Sequence, residues 1–215
     1  MKKILLVWIF FAGTAWAQSP DLSGFWELRY DSRNIPKAPL TPAAANEDKE
    51  ARTARDLYAI RWCNHVGVPF IMDDGSPIDI RQDKNEIAIT SQSNSPVRHI
   101  YTDGREQVGQ INGDADNPLY YGRAVGHWEG DTFVVDLKGF NEKFWFDNGG
   151  LPHTEQLHLI EKFTRADMKT LKYEVTVDDP ATYTKPWTSS WTFEWFPGDE
   201  LPYFLCQDNR PYFFS

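Results

Sequence analysis

Apolar and polar residues alternate with a period of two over much of the chain beyond residue 85. The clearest stretch sets Leu171, Tyr173, Val175 and Val177 against Lys172, Glu174, Thr176 and Asp178. Such alternation predicts a strand with one buried and one wet face. Similar patterns predict short strands at 86–90, 97–101, 121–128, 132–137, 156–163, 170–177, 187–195 and 202–206, and 22–29 reads as a first strand. Glu129-Gly130 and Asp103-Gly104 have tight-hairpin chemistry, and 165–169 reads as a longer hairpin connection. Residues 31–40, with Asn34, Pro36 and Pro39, read as a loop. Thr41-Pro42 then opens a helix predicted to run to about Tyr58, because Thr caps well and Pro is tolerated at the first helical position. Its stripe is Ala51, Ala54, Leu57 and Tyr58. Many short strands joined by local turns imply a mainly β protein, an antiparallel barrel with one N-terminal helix.

The first residues break this pattern. Met1-Lys2-Lys3 precedes an apolar run from Ile4 to Ala12, and Ala15-Trp16-Ala17 follows. That is the layout of a cleavable secretory signal over residues 1–17. The run is shorter than the roughly 20 residues that span a bilayer. The expectation is a periplasmic or secreted chain of one domain, 18–215, with no membrane insertion after cleavage. The formal charge is −9, and losing Lys2 and Lys3 takes it to −11. A polyanion is repelled by nucleic acid and by anionic lipid, so neither is an expected partner. The acidic residues are scattered and read as a solvated surface. Cys63 and Cys206 are the only cysteines. Two thiols in one exported domain are expected to pair, closing a loop worth about 4–5 kcal/mol on a chain-entropy view.

Several stretches resemble a family of exported bacterial proteins of uncharacterised activity. They are 100–105 (Ile-Tyr-Thr-Asp-Gly-Arg), 126–136 (Gly-His-Trp-Glu-Gly-Asp-Thr-Phe-Val-Val-Asp), Gly139-Phe140-Asn141, 152–158 (Pro-His-Thr-Glu-Gln-Leu-His), Glu161 and 179–187 (Asp-Pro-Ala-Thr-Tyr-Thr-Lys-Pro-Trp). Cys63 and Leu205-Cys206 also fit. The resemblance spans most of the mature chain but implies no reaction. Relatives often carry His-Ser where this chain has Arg123-Ala124, and Arg where it has His127. Separately, Gly24-Phe25-Trp26 is similar to the Gly-x-Trp opening strand of lipocalins, which implies a calycin-like barrel.

Candidate chemistry centres on one segment. His153 and His158 fall within six residues of each other, beside Asp147 and Glu161. A metal site would need three or four such ligands in a tetrahedral array, and a loop running into a strand does not supply that geometry by spacing. The alternative is that His153 caps a loop and His158 lies on a sheet face. For acid–base work, Arg105, Arg123, His127, Glu129, Asp131, Asp136, His153, His158 and Glu161 lie on strands or turns that can be neighbours. A His beside a carboxylate can move a proton near neutral pH, and an Arg can hold a carboxylate or enolate oxygen. The candidate catalytic set is His153, His158, Glu161, Arg105 and His127. A regular strand puts His158 and Glu161 on opposite faces, so sharing one face needs a bulge between them. No Gly-x-Ser-x-Gly elbow and no phosphate-binding Gly-rich loop occurs, so nucleotide cofactors are not expected.

Two readings follow. One is a cofactor-free lyase, isomerase or hydrolase using a His–carboxylate pair with an Arg. The other is a non-catalytic carrier of an apolar or carbohydrate ligand, to which abundant aromatics such as Trp187, Trp191, Phe193 and Trp195 would contribute lining. Whether His153, His158 and Arg105 turn into the barrel separates them.

Overall fold

The computed structural model describes residues 19–46, 67–92, 97–107, 121–142 and 151–202. Nine strands among them close into a barrel: β1 (Gly24–Asn34), β2 (Ile78–Gln82), β3 (Glu86–Ser91), β4 (Arg98–Tyr101), β5 (Arg123–Glu129), β6 (Thr132–Lys138), β7 (His158–Arg165), β8 (Thr170–Asp178) and β9 (Trp187–Trp195). Each strand pairs with the next, and β9 returns to β1 through Trp26↔Trp195 and Leu28↔Phe193.

The sheet is mixed rather than wholly antiparallel. Strands β4 and β5 run parallel and share one register pair, Tyr101↔Val125. Asp103-Gly104 therefore opens a crossover instead of a hairpin, with Gly104 at φ +77°. The expected turn near Glu129-Gly130 is present as the two residues Gly130-Asp131, closing Glu129 on Thr132. Residues 165–169 also turn as expected, with Ala166 N donating to Thr170 O at 2.9 Å. Strand β2 went unseen in the sequence, and β1 runs on through Asn34 where a loop was expected. A register shift between Arg29 and Asn34 lets Ser32 Oγ accept from Thr192 N at 2.9 Å, so a polar turn-former serves the ladder with its side chain.

The helix start is where the sequence puts it. Helix α1 covers Pro42–Ala45, and Thr41 Oγ1 accepts from Ala44 N at 3.2 Å. Its continuation toward Tyr58, the 1–17 signal, most of the 202–206 strand and both cysteines lie outside the described residues. No described helix is long and apolar enough to cross a membrane.

Inward positions alternate along each strand and fill the barrel. Trp26, Ile80, Ile89, Phe133, Val135, Leu159, Phe163, Leu171, Val175 and Phe193 are all buried. Two glycines make this packing possible. A Cβ on Gly126 would stand 2.2 Å from Phe133 Cζ, so only hydrogen fits beneath that ring. Gly24 has φ +135°, and a Cβ there would stand 2.3 Å from Trp195 Nε1.

The two ends of the barrel differ. One end carries the tight turns and is sealed by Trp26. Its indole donates to Leu22 O at 3.0 Å, and Arg165 lies over both Trp26 and Trp195 at 5.3 and 5.0 Å from the ring centres. The opposite end carries the longer connections. There the buried turn Phe70–Met72 joins the core with Phe140, Leu157 and Tyr183.

Candidate functional site

Register along β7 decides the fate of the predicted set. Pairing with β8 runs without a break from His158↔Asp178 to Arg165↔Leu171. With no bulge, Leu159, Glu161 and Phe163 point inward and His158 points outward. The five predicted residues are therefore not brought together.

Glu161 lies in the lumen and is fully buried. Arg98, on β4 across the barrel, meets it end-on. Arg98 Nη1 donates to Glu161 Oε1 at 2.9 Å, and Nη2 donates to Oε2. Tyr173 OH donates to Oε1 at 2.6 Å. Burial alone would weaken the charge on Arg98, but the Glu161 carboxylate more than offsets it and the guanidinium is held above its ordinary value. Burial, and then the neighbouring carboxylate, push the Tyr173 phenol well above its usual value. The triad is thus a fixed carboxylate–guanidinium pair with a neutral phenol.

Three further polar atoms lie in the barrel interior, two of them on β9. Arg98 Nε, Ser189 Oγ and Trp191 Nε1 are buried without a hydrogen-bond partner among the described residues. Ser189 pairs across the sheet with Val175, which pairs with Glu161, and Trp191 pairs with Tyr173. The Trp191 and Tyr173 rings lie 4.7 Å apart.

His158 finds a different carboxylate. Its Nε2 lies 3.2 Å from Asp136 Oδ1 on the outer face of β6 and β7. Gln107, on the crossover from β4 to β5, donates to Asp136 Oδ1 at 2.7 Å and to Asp136 O at 2.6 Å. Lys138 Nζ stands 3.7 Å from the same carboxylate. Arg123 pairs in register with Lys138 and packs over Gly139. A His–carboxylate pair with cations beside it therefore exists at the loop end, with Asp136 in place of Glu161.

The other predicted residues have local partners. His153 Nε2 donates to Asn141 O at 3.1 Å. Its neighbour Thr154 is bound to the buried Asp179 carboxylate, through its amide at 2.6 Å and its hydroxyl at 3.0 Å. Tyr183 OH donates to Pro152 O at 2.8 Å. The 152–158 and 179–187 stretches, conspicuous as motifs, are thus each other's partners in tying the loop end together. Arg105 is exposed, bonded to Asp103 and stacked on Tyr101 at 3.6 Å. That bond holds the Asp103 carboxyl down to about 2. His127 is exposed beside Glu129 at 3.0 Å.

Among the described residues, no three His, Cys, Asp or Glu side chains gather as a metal site would require. A groove of about 410 Å³ crosses the outer face of β6 to β9. It is lined by Lys162, Thr164, Lys172, Glu174, Ser190 and Thr192, among others, and by none of the predicted site residues. Comparison with protein-family models and with curated proteins finds no match for the chain.

Proposed function

We propose that this is an exported barrel that binds a small organic molecule in its lumen, at the layer of Arg98, Glu161, Tyr173, Ser189 and Trp191. The observation that carries the reading is the set of three buried donors left over around a satisfied ion pair. Each unmade bond costs about 1–3 kcal/mol, a penalty a ligand oxygen relieves once the side chains packed over these atoms part to admit it. His153, His158 and Arg105 do not turn inward, which favours binding over catalysis within the barrel. The calycin-like reading is supported by Gly24-Phe25-Trp26 at the sealed end, where Trp26 is covered by Arg165. Export rests on the leader-like residues 1–17.

The test is a thermal-shift screen of the chain from Gln18 onward against a metabolite library, repeated with Ser189→Leu. A hit that the lumen-filling variant abolishes supports the reading. Hits that Ser189→Leu leaves unchanged overturn it.

A second reading is favoured by the His158–Asp136 pair. With Arg123 and Lys138 alongside, this rim has the parts for cofactor-free proton transfer on an anionic substrate, as in a lyase, isomerase or hydrolase. It predicts that His158→Ala abolishes turnover of a compound that Ser189→Leu still turns over.

A further inference from the structure

On the outer face of the loop end, register sets a row of basic side chains on neighbouring strands. Arg123 on β5 pairs with Lys138 on β6. His158 on β7 stands one step past the Leu137↔Leu159 pair, level with Lys138. Asp136 lies beside this row. Its Oδ1 is 3.2 Å from His158 Nε2 and 3.7 Å from Lys138 Nζ, and it accepts from Gln107 at 2.7 Å. A carboxylate can only accept, so Nε2 is the donor and His158 Nδ1 carries the lone pair. Nδ1 has no partner among the described residues. His99 and His127 also meet carboxylates, Glu86 and Glu129, but nothing else among the described residues holds those side chains. His158 alone of the three has a base nitrogen oriented by a carboxylate that is itself fixed.

We propose that His158 is the general base of an esterase site on this rim, acting on a small ester that carries a carboxylate. This rests on the second reading above, the His158–Asp136 rim, and narrows it to hydrolysis. The His158 and Asp136 side chains keep 29% and 34% of their surface, so water reaches Nδ1. Drawing a proton from a weak carbon acid, as a lyase or isomerase does, calls for a site closed to water, whereas hydrolysis consumes water. In the first step Nδ1 takes a proton from water as the water oxygen bonds to the acyl carbon, and the carbonyl electron pair moves onto its oxygen. That pair then re-forms the carbonyl, the bond to the alcohol oxygen breaks, and the Nδ1 proton passes to the leaving alkoxide. Ester and water become acid and alcohol, and the imidazole is restored. Lys138 and Arg123 supply the charge that holds the carboxylate tail. Asp136 is a positioning residue, and Gln107 fixes it.

The chain from Gln18 onward is tested with p-nitrophenyl hydrogen adipate, which has the carboxylate tail, and p-nitrophenyl acetate, which lacks it. The expected result is saturable hydrolysis of the adipate ester. His158→Ala should lower kcat about 100-fold or more, and added imidazole should restore part of it. Asp136→Asn should lower kcat about tenfold or more with KM little changed. Lys138→Ala should raise KM for the adipate ester by up to about fivefold and leave the acetate ester unaffected. A merely structural His158 would not be rescued by imidazole, and His158→Gln serves as the second variant if His158→Ala is unfolded by circular dichroism. Hydrolysis that survives loss of the imidazole, or that imidazole fails to rescue, overturns the proposal. Levulinate in heavy water is run alongside, with C–H exchange read by proton NMR. Exchange that depends on His158 without ester hydrolysis keeps the rim reading and overturns the esterase proposal. Neither hydrolysis nor exchange overturns both.

Discussion

Removing one member of the Arg98–Glu161 pair should be far more damaging than removing both. Glu161→Leu leaves a guanidinium in the core with its cross-barrel carboxylate gone; Arg98→Met leaves the reverse. An uncompensated buried charge costs about 3–5 kcal/mol. For a domain near 200 residues, each kcal/mol moves Tm by about 2–4 °C, so either single variant should lose roughly 6–20 °C. Arg98→Met/Glu161→Leu should return to within about 1 kcal/mol of the parent or exceed it, because the double change removes two desolvated ions and fills the same space. Tyr173→Phe removes one donor to a charged acceptor and should cost about 1.5–3 kcal/mol. Urea unfolding followed by circular dichroism gives all four values. Additive losses in the double variant would refute the buried-pair argument. A pH test follows from Tyr173, whose phenol is held above the ordinary 10.0. Below that value the phenol is neutral in both folded and unfolded chains. As pH rises past it, the unfolded chain releases the proton first and stability falls. Tyr173→Phe should flatten this alkaline loss.

Three other outcomes are expected. Gly126→Ala sets a methyl 2.2 Å from Phe133 Cζ and should cost about 1–3 kcal/mol, with recovery on adding Phe133→Leu; calorimetry decides. Asp179→Ala strips the acceptor from Thr154 N, Thr154 Oγ1 and Thr182 Oγ1 and should cost about 3 kcal/mol, with faster amide exchange at Thr154. Arg105→Ala should raise the Asp103 carboxyl from about 2 toward the usual carboxylate value in a ¹³C titration; any stability linked to that shift is present at neutral pH and lost as pH falls through the acid range.

Much of the barrel was legible because period-two alternation is a direct consequence of strand geometry. Leu171 to Val177 told which face of β8 is inside, and the structure agrees. Strand β2 was missed because Ile78-Asp79-Ile80 offers only two inward apolar residues between polar turns. The parallel β4–β5 pair was not readable, since pairing direction depends on where the crossover travels and not on the strands it joins. The site was half legible. Parity with Leu159 and Phe163 already placed Glu161 inside, and an inward carboxylate demands a cation. The partner was equally readable in principle. Arg98 shares parity with Ile100, which makes it an inward cation, but the short stretch 97–101 left either face eligible. The His153 segment drew attention through its residue types, while its role in binding the 179–187 segment depends on contacts that spacing does not reveal.

The single bridge between Tyr101 and Val125 has a dynamic consequence. Among the described residues every other seam of the barrel is a ladder of at least three register pairs, and β5 to β9 form an unbroken meander. Local opening follows the fewest bonds to break, so breathing concentrates at the β4–β5 joint. Arg98 sits on the strand that borders it. Opening there exposes the ion pair through one lateral slit, leaving the Trp26–Arg165 seal and the meander intact. Hydrogen exchange should be fastest along Arg98–Tyr101 and slowest in β8.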